Sequence, residues 1–244
     1  MSPLPPSLLV FLKYPEPGKV KTRLGTALGM DRAAQLYRQW VDHVLQQVQA
    51  LRNRVRIIAL YDGAPLDAFA PWHHLVDLWW AQNNGHLGNR LAAAFYQAQI
   101  VLQEVDATLP NSSSGKWQDD CSDETASASS TPMRAPVCAI GTDCLELDAL
   151  LLQKSFDLLQ HHDIVIGPTY DGGYYLIGTA HFIPHLFDNI RWSSPWTLED
   201  QVRQSHTLGY KVVYLPPRAD IDTADDWHAY CSRCWNSEFS EPGP

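Results

Sequence analysis

The sequence has no long apolar run, no excess of positive charge and no even set of cysteines. The apolar run at residues 8–12 is too short for the core of a signal peptide or for a membrane span. We therefore expect a cytoplasmic protein with no membrane association. Five cysteines make an odd set, which is consistent with reduced thiols. Cys231 and Cys234 form one Cys-x-x-Cys pair, without a second pair nearby to complete a zinc site.

Negative charge predominates along the chain. The 27 acidic residues and the 18 lysines and arginines give a formal net charge of −9. A general nucleic-acid-binding surface requires a basic field, so we expect no nucleic acid among the partners. The chain has 244 residues, of which 45% are hydrophobic, and this is enough for one large domain or two small ones.

Short apolar runs, typical of buried strands in a parallel sheet, recur between segments of helical periodicity and predict an α/β fold. The predicted strands cover residues 8–12, 55–61, 75–80, 137–140, 163–168, 174–178 and 211–215. The predicted helices cover residues 31–51, 87–105, 146–160 and 197–208, and residues 220–227 open a last one. We expect one domain over residues 1–236, a flexible Ser-, Asp- and Thr-rich insertion at 107–136, and a disordered tail at 237–244.

The strand predicted at residues 137–140 runs into Gly141, Thr142 and Asp143. These residues should lie at the carboxyl end of the strand, where open α/β sheets bind their ligands. A carboxylate flanked by small residues can hold a divalent cation against a phosphate there, and Gly141 and Thr142 would let a nucleotide lie close to the sheet. The alternative is that Asp143 caps the helix expected near Glu146.

The segment after the first predicted strand, residues 13–24, is basic in an otherwise acidic chain. It contains Lys13, Gly18, Lys21 and Arg23, and its two prolines and one glycine exclude regular structure. It matches neither a Walker A loop nor a Gly-x-Gly-x-x-Gly loop. A basic, glycine-containing loop after a strand nevertheless suits a diphosphate or a triphosphate. The alternative is a solvated charge cluster.

Two further segments contain polar residues or glycines that we expect to lie near a ligand bound at the carboxyl ends of the strands. Arg90 lies in the first turn of a predicted helix, where a cation opposes the helix dipole, so we expect it to face an anion or an acidic partner. Asp171 is either a turn former or a functional carboxylate. Gly172 and Gly173, which follow it, would allow the backbone to approach a ligand closely.

Near the carboxyl end, Asp220 and Asp222 alternate around Ile221. This spacing allows Ile221 to be buried while both carboxylates face one side. Acidic residues at the start of a helix are also ordinary capping residues, and this alternative stays open.

Five ordered segments of the chain resemble one family. They are FLKYPEPGKVKTRL, GHLGNRLAAAF, IGTDCLEL, GPTYDGGYYLIG and DIDTADDW. By these motifs the chain is identified as a member of DUF2064, also called the selenodomain-associated transferase 1 group, in the GT-A glycosyltransferase superfamily. The resemblance covers nearly the whole chain except residues 107–136 and the tail. It implies a nucleotide-diphospho-sugar transferase fold, with a mostly parallel sheet flanked by helices.

The resemblance also implies a metal pair. Asp222-Thr223 followed by Asp225-Asp226 resembles the Asp-Thr-Pro-Glu-Asp element of cytidylyltransferases that act on sugar acids. In those enzymes the first aspartate shares a magnesium ion with the aspartate after the central strand. Carried over, Asp143 and Asp222 would hold Mg²⁺ or Mn²⁺. Lys13 and the Lys-Thr-Arg element of the first loop also resemble phospholactate guanylyltransferase.

The chain departs from the family pattern at two positions. Leu145 stands where members usually have proline, which affects only the turn. His86 stands where members usually have aspartate before Leu-Gly. This second change replaces an acid with a neutral base and puts an acceptor role at that site in doubt.

Together these observations favour a divalent-metal-dependent transferase that uses a nucleotide or sugar-nucleotide donor and a small-molecule acceptor. Asp143 and Asp171 are the predicted catalytic residues, the latter to orient or deprotonate the acceptor. The predicted phosphate and nucleotide ligands are Lys13, Gly18, Lys21, Arg23, Gly141 and Thr142. The predicted acceptor pocket comprises Arg90, Gly172, Gly173, Tyr174, Trp192 and Ser193.

Three functions remain open from the sequence. A glycosyltransferase would release a nucleoside diphosphate, and a nucleotidyltransferase would release pyrophosphate. A nucleotide-binding protein without turnover is the third. Fold alone does not decide among them, and the sequence makes no prediction of the oligomeric state.

Overall fold

The computed structural model describes residues 5–102 and 135–234. The predicted insertion at 107–136, apart from its last two residues, and the predicted tail at 237–244 therefore lie outside the described residues. None of the helices within the described ranges combines the length and the hydropathy that crossing a bilayer requires.

The described elements follow the predicted alternation of strands and helices. The strands are β1 (Ser7–Lys13), β2 (Arg56–Asp62), β3 (Leu78–Ala81), β4 (Val137–Ile140), β5 (Ile164–Pro168), β6 (Tyr174–Thr179) and β7 (Val212–Tyr214). The α-helices are α1 (Thr22–Leu28), α2 (Met30–Gln49), α3 (Leu87–Tyr96), α4 (Ala149–Leu158), α5 (Thr197–Thr207) and α6 (Ala224–Cys234). A 3₁₀ helix spans Leu66–Leu75, and a π-helical turn, Gln97–Val101, extends α3.

The seven strands form one sheet in the order β3-β2-β1-β4-β6-β5-β7. β1, β2, β3 and β4 are parallel neighbours, as are β5 and β7, whereas β6 runs antiparallel to both β4 and β5. The predicted mostly parallel sheet is thus confirmed. Because β6 is reversed, its first residues, Tyr174 and Tyr175, lie at the edge where the parallel strands end.

Helices cover both faces of the sheet, and this explains why its central strands are apolar without alternation. In β1, Leu8 and Val10 belong to a core shared with α2, and Leu9 belongs to a second core shared with α3. All three side chains are fully buried. The apolar positions of α2 that recur at helical spacing, including the buried Trp40, pack into the first core, as predicted.

The strand predicted at residues 75–80 differs in the structure. It begins only at Leu78, and the preceding residues form the 3₁₀ helix Leu66–Leu75. Phe69 and Trp72 are three residues apart and both buried, which is the spacing that brings side chains to one face of a 3₁₀ helix. The apolar run therefore contains the end of a helix and the start of a strand.

The loop predicted at residues 13–24 is also shorter than expected, because α1 begins at Thr22. Its N-cap is Lys21, which has a left-handed backbone conformation with φ 44° and ψ 44°. The exclusion of regular structure is therefore wrong for the last three residues of that range, and also for Lys13, which is the last residue of β1.

Helix α4 begins at Ala149, not near residue 146. Its N-cap is Asp148, whose carboxylate accepts a hydrogen bond from the backbone N–H of Leu151 at 2.7 Å. The alternative that Asp143 caps this helix is therefore wrong.

Buried hydrogen bonds connect the two described ranges. The Gln99 side-chain amide donates to the carbonyl of Ala135 at 2.9 Å and to the Thr179 hydroxyl at 3.1 Å. The Ala135 N–H in turn donates to the carbonyl of Ala180. The end of α3 and the residues that lead into β4 are thus fixed to the same part of the sheet.

We predict that Asp148→Ala lowers the free energy of unfolding by about 1 kcal/mol, because the first turn of α4 loses its capping acceptor. Asp148→Asn should change it little, because asparagine is an equally good N-cap. Urea unfolding followed by circular dichroism measures both. An alanine variant that unfolds at the wild-type urea concentration would contradict the assignment.

Candidate functional site

A cavity of about 760 Å³ opens at the edge of the sheet where β1 and β4 end. Its walls come from the segment after β1, the start of α3, the residues after β4, the start of β6 and the residues after β7. Its polar and charged lining includes Lys13, Lys19, Lys21, Thr22, Arg23, Tyr37, Gln82, His86, Arg90, Thr142, Asp143, Tyr174, Tyr175, Ser193, Asp220 and Asp222.

At the centre of the cavity wall, the ammonium group of Lys21 lies between two carboxylates. Lys21 Nζ is 3.0 Å from Asp143 Oδ1 and 2.7 Å from Asp222 Oδ1. It also donates to the carbonyl of Ile221 at 2.6 Å. Residues that are far apart in the sequence, and that were predicted to form the metal pair, therefore meet at one cation.

The backbone of Ile221 explains why these segments converge. Its N–H donates to the carbonyl of Asp143 at 3.0 Å, and its side chain is buried. Asp222 and Asp220 on either side of it both line the cavity. The predicted alternation around Ile221 is thus what the structure shows.

The segment after Asp222 is held by Asp226. Its Oδ2 accepts hydrogen bonds from the backbone N–H groups of Asp222 and Thr223 and from the Thr223 hydroxyl. Asp226 therefore has a structural role at the start of α6. The Asp222 carboxylate instead contacts Lys21 and the exposed Arg23, whose Nη1 lies 3.6 Å from Asp222 Oδ2.

Lys21 is almost enclosed, with 6% of its side chain exposed, and its Nζ lies 5.5 Å from the centre of the Trp40 ring. Burial by itself would lower the pKa of Lys21. The charges of Asp143 and Asp222 outweigh that effect and raise the pKa of Lys21 above its usual value. The lysine is therefore positively charged at all physiological pH values.

Asp220 is a cavity residue that was not among the predicted ligands. Its Oδ1 is buried and has no hydrogen-bond partner among the described residues. Burial, together with the nearby charges of Asp143 and Asp171, raises the pKa of Asp220 to about 7. The alternation of Asp220 and Asp222 around Ile221 was the sequence signal that could have placed Asp220 among the predicted site residues.

Thr142 and Lys13 share one partner in the wall of the cavity. The Thr142 hydroxyl donates to the Tyr37 hydroxyl at 2.9 Å, and the backbone N–H of Lys13 donates to the same oxygen at 3.0 Å. Burial raises the pKa of Tyr37 to about 12. Tyr37 was assigned only to the core, but it also fixes β1 to the residues after β4.

The backbone at Gly141 is open to the cavity, because a Cβ atom added there would meet nothing within 4 Å.

Arg90 has the acidic partner that its position in α3 predicted. Its Nη1 lies 3.2 Å from Asp62 Oδ2 and 3.1 Å from Gln82 Oε1, and its Nε donates to the carbonyl of Gly85. Arg90 therefore lines the cavity as part of a hydrogen-bonded wall at the ends of β2 and β3.

His86 is the N-cap of α3. Its Nδ1 accepts a hydrogen bond from the backbone N–H of Gly88 at 3.1 Å. Aspartate, the residue expected here from the family resemblance, is equally suited to this capping role. The departure at this position thus exchanges one N-cap acceptor for another.

Trp192 and Ser193 also line the cavity, with the Trp192 indole packed between Tyr174 and Gly88 in the first turn of α3. Their loop is held by Arg191, whose guanidinium and backbone N–H all bind the buried carboxylate of Asp200 at 2.7 to 3.0 Å. These hydrogen bonds lower the pKa of Asp200 well below its usual range. The Arg191–Asp200 pair therefore positions the wall although neither residue lines the cavity.

Four of the predicted site residues do not line the cavity: Gly18, Asp171, Gly172 and Gly173. Asp171 Oδ1 accepts hydrogen bonds from the Thr169 hydroxyl at 2.5 Å and from the Gly173 N–H at 3.1 Å. Gly172 has φ +91°, and a Cβ atom added to it would lie 2.0 Å from the carbonyl oxygen of Pro195. The structure therefore explains Gly172 by close packing of two loops.

The carboxylates of the cavity suit a divalent cation. Asp143 and Asp222 both reach one ammonium group, and the unpartnered Oδ1 of Asp220 lies in the same acidic neighbourhood. Within residues 5–102 and 135–234, no group of three or more His, Cys, Asp or Glu side chains could hold a metal on its own. Mg²⁺ typically binds one or two carboxylates together with substrate phosphates, so two aspartates are a sufficient protein contribution.

Comparison with known proteins gives matches of family and fold. The model of DUF2064, a family described as uncharacterized proteins conserved in bacteria, matches residues 44–194. No curated protein matches the sequence. A crystal structure of a candidate nucleotide-diphospho-sugar transferase from Desulfovibrio desulfuricans G20 is 32% identical, with a TM-score of 0.74, and the match covers 96% of this chain and 89% of that one.

Two less similar enzymes have the same fold. A cytidylyltransferase from Leptospira borgpetersenii serovar Hardjo-bovis is 14% identical, with a TM-score of 0.52 and coverage of 97% of this chain and 90% of that one. The 4-diphosphocytidyl-2C-methyl-D-erythritol synthase from Anaerococcus prevotii DSM 20548 is 10% identical, with a TM-score of 0.51 and coverage of 95% and 99%. With the more similar structure, they confirm the predicted fold.

We predict that Gly172→Ala lowers the free energy of unfolding by about 3 kcal/mol, since the new methyl group adds a clash with Pro195 to the strain of a positive φ. Gly209→Ala is the matched control, because Gly209 has φ +85° and open space around it. It should cost about 1 kcal/mol. Equal losses in urea unfolding would show that the contact with Pro195 is unimportant.

We predict that Asp200→Asn destabilises the protein at neutral pH and that this difference shrinks in acid. The pKa of Asp200 is lowered by folding, so its contribution is present above the usual value of 3.8 and is lost as the pH falls below it. Chemical unfolding of both proteins at pH 7 and at pH 3 measures the change. A difference that stays constant between these pH values would contradict the ionic role of Asp200.

Proposed function

The chain belongs to the DUF2064 family, and on that premise we propose that it is a divalent-metal-dependent transferase that uses a nucleotide or sugar-nucleotide donor. The observation that carries the proposal is the meeting of a basic segment and a carboxylate pair in one cavity. Lys21 joins them directly, because it belongs to the first and binds both members of the second.

The basic segment supplies the charge that donor phosphates require. Lys13, Lys19, Lys21 and Arg23 all line the cavity, in a chain whose formal net charge is −9. Such a local concentration of cations opposes the overall field and suits a ligand with several phosphate oxygens. The open backbone at Gly141 would let the rest of the nucleotide lie against the end of β4.

Asp143 and Asp222 would hold the cation, Mg²⁺ or Mn²⁺. When bound, such a cation offsets the charge of the donor phosphates and of the leaving group. The backbone hydrogen bond between Ile221 and Asp143 keeps the two carboxylates near each other. The backbone that carries the two carboxylates is thus fixed before the donor enters, which is the condition for effective electrostatic stabilisation.

The acceptor would meet the donor between Arg90 and the wall formed by Tyr174, Trp192 and Ser193. Tyr174 and Trp192 contact each other edge to face and would exclude water from one side of the acceptor. Asp171 was predicted to orient or deprotonate the acceptor, but it does not line the cavity, so this role would require the acceptor to extend beyond the cavity lining. Because Asp171 Oδ1 already accepts two hydrogen bonds, Oδ2 is the oxygen that this role requires.

The identity of the transferred group distinguishes two versions of the proposal. The Desulfovibrio desulfuricans relative, described as a candidate nucleotide-diphospho-sugar transferase, supports glycosyl transfer. The four cationic side chains of the basic segment, Lys13, Lys19, Lys21 and Arg23, support a nucleoside triphosphate donor and hence nucleotidyl transfer. A panel of nucleoside triphosphates and sugar nucleotides with sugar phosphates and acidic sugars as acceptors tests both. Pyrophosphate release indicates nucleotidyl transfer, nucleoside diphosphate release indicates glycosyl transfer, and binding without product contradicts a transferase.

We predict that Asp143→Asn weakens Mn²⁺-dependent nucleotide binding by about tenfold or more, because one carboxylate ligand becomes a neutral amide. Isothermal titration calorimetry with and without Mn²⁺ measures the loss. Asp148→Asn, which also neutralises an aspartate but lies at the N-cap of α4 and outside the cavity lining, is the control. Undiminished Mn²⁺-dependent affinity in a folded Asp143→Asn protein would reject the metal assignment.

A further inference from the structure

Lys21, one of the predicted phosphate ligands, has no donor left for a phosphate in the described structure. A lysine ammonium group has three N–H donors and no acceptor. Three oxygens surround Lys21 Nζ within 3.0 Å: the Ile221 carbonyl, Asp222 Oδ1 and Asp143 Oδ1. Binding of a phosphate by Lys21 therefore requires the release of at least one carboxylate.

We propose that Lys21 is an exchangeable counter-ion of the carboxylate pair. A divalent cation takes over Asp143 and Asp222, and the released ammonium group binds a phosphate of the donor. Metal binding and donor binding are thereby coupled through one side chain. This inference rests on the proposed function and assigns to Lys21 a positioning and regulatory role within it.

The burial of the three side chains shows how the exchange can occur. Lys21 has 6% of its side chain exposed, whereas Asp143 and Asp222 have 43% and 44% exposed. The lysine thus approaches the carboxylates from the protein side, and the cavity gives a small cation access to the same carboxylates from the other. A metal with two charges competes favourably with an ammonium group that carries one.

The backbone at Lys21 is consistent with a side chain held in place by its contacts. Lys21 is in the left-handed region, with φ 44°, which is uncommon for a residue other than glycine and persists only where surrounding contacts impose it. Its position at the N-cap of α1 makes it the last residue of the segment after β1. Release of the ammonium group would remove one of those contacts, so the conformation at Lys21 depends on what its ammonium group binds.

The charge balance also favours replacement of Lys21 by the metal at the carboxylates over binding of metal and phosphates with Lys21 still in place. With Lys21 in place, the two carboxylates are compensated by one enclosed ammonium group and, at 3.6 Å, by the exposed Arg23. Phosphates brought into the cavity would add negative charge next to Asp143 and Asp222. A divalent cation on the carboxylates and a lysine on the phosphates place each positive charge beside its own anion.

The first test measures Mn²⁺ binding to the purified full chain without nucleotide, by the electron paramagnetic resonance signal of free Mn²⁺. Lys21→Met keeps the aliphatic stem and removes the charge, so it should bind Mn²⁺ about tenfold tighter than the wild type. Lys19→Met is the matched control, because Lys19 is exposed on the same segment and lines the cavity. It removes one charge without freeing the carboxylates, so its Mn²⁺ affinity should stay within about threefold of the wild type.

Mn²⁺ affinity of Lys21→Met equal to or below that of the wild type would overturn the exchange. So would an equal gain in Lys19→Met, since that would reduce the effect to general electrostatics. Failure of both the wild type and Lys21→Met to bind Mn²⁺, even with nucleotide, would overturn the metal part of the proposed function as well. Nucleotide-dependent Mn²⁺ binding by the wild type together with an unchanged Lys21→Met would leave the proposed function standing and reject only the exchange.

A second measurement uses the wild-type chain and does not depend on a variant that folds. Acetylation of individual lysines by a limiting reagent is followed by mass spectrometry. The acetylation rate of Lys21 should be low without metal, rise about fivefold or more with saturating Mn²⁺ alone, and fall again when a nucleoside triphosphate is added. The rate at Lys19 should not rise with Mn²⁺. A Lys21 rate that Mn²⁺ leaves unchanged would reject the proposal.

Discussion

Three oxygens from two distant segments surround the ammonium group of Lys21, and the arrangement of the cavity depends on this contact. Two of the oxygens come from Asp222 and the adjoining carbonyl of Ile221, and the third comes from Asp143. The contact connects the start of α1, the end of β4 and the residues after β7. A buried charge that loses one partner is strongly destabilising, so these groups behave as a unit.

Around this contact, the walls of the cavity are held by residues with structural roles. The Tyr37 hydroxyl accepts from both Lys13 and Thr142, and Asp62 and Gln82 hold Arg90. Hydrogen bonds of this kind fix side chains that face a ligand before the ligand arrives. Such preorganisation reduces the entropy that binding costs, and it is the physical basis for regarding the cavity as a site.

Much of this arrangement could be predicted because it depends on local sequence. Apolar runs gave the strands of the sheet, and the position of Arg90 in the first turn of a helix indicated an acidic partner, which is Asp62. The alternation of Asp220 and Asp222 around Ile221 indicated that both carboxylates face one side, and both line the cavity. The spacing of apolar residues and the dipole of a helix both depend on residues that are close together in the sequence, so the sequence is sufficient to predict their effects.

Features that depend on contacts between distant segments could not be predicted. Lys21 and Asp222 are 201 residues apart, and nothing near Lys21 indicates that its donors are already occupied. A side chain at position 172 would clash with the carbonyl of Pro195, which accounts for the glycine there. The Asp171 carboxylate accepts a hydrogen bond from the Thr169 hydroxyl, which gives it a structural role in the turn. The family resemblance placed Asp143 and Asp222 together, but it assigned Lys21 only to phosphates.

The hydrogen bond from Gln99 to Ala135 has a further consequence, because it anchors residues on both sides of 103–134 to the sheet. The edge of the sheet that carries the cavity is therefore held on both sides of that connection by contacts that do not include it.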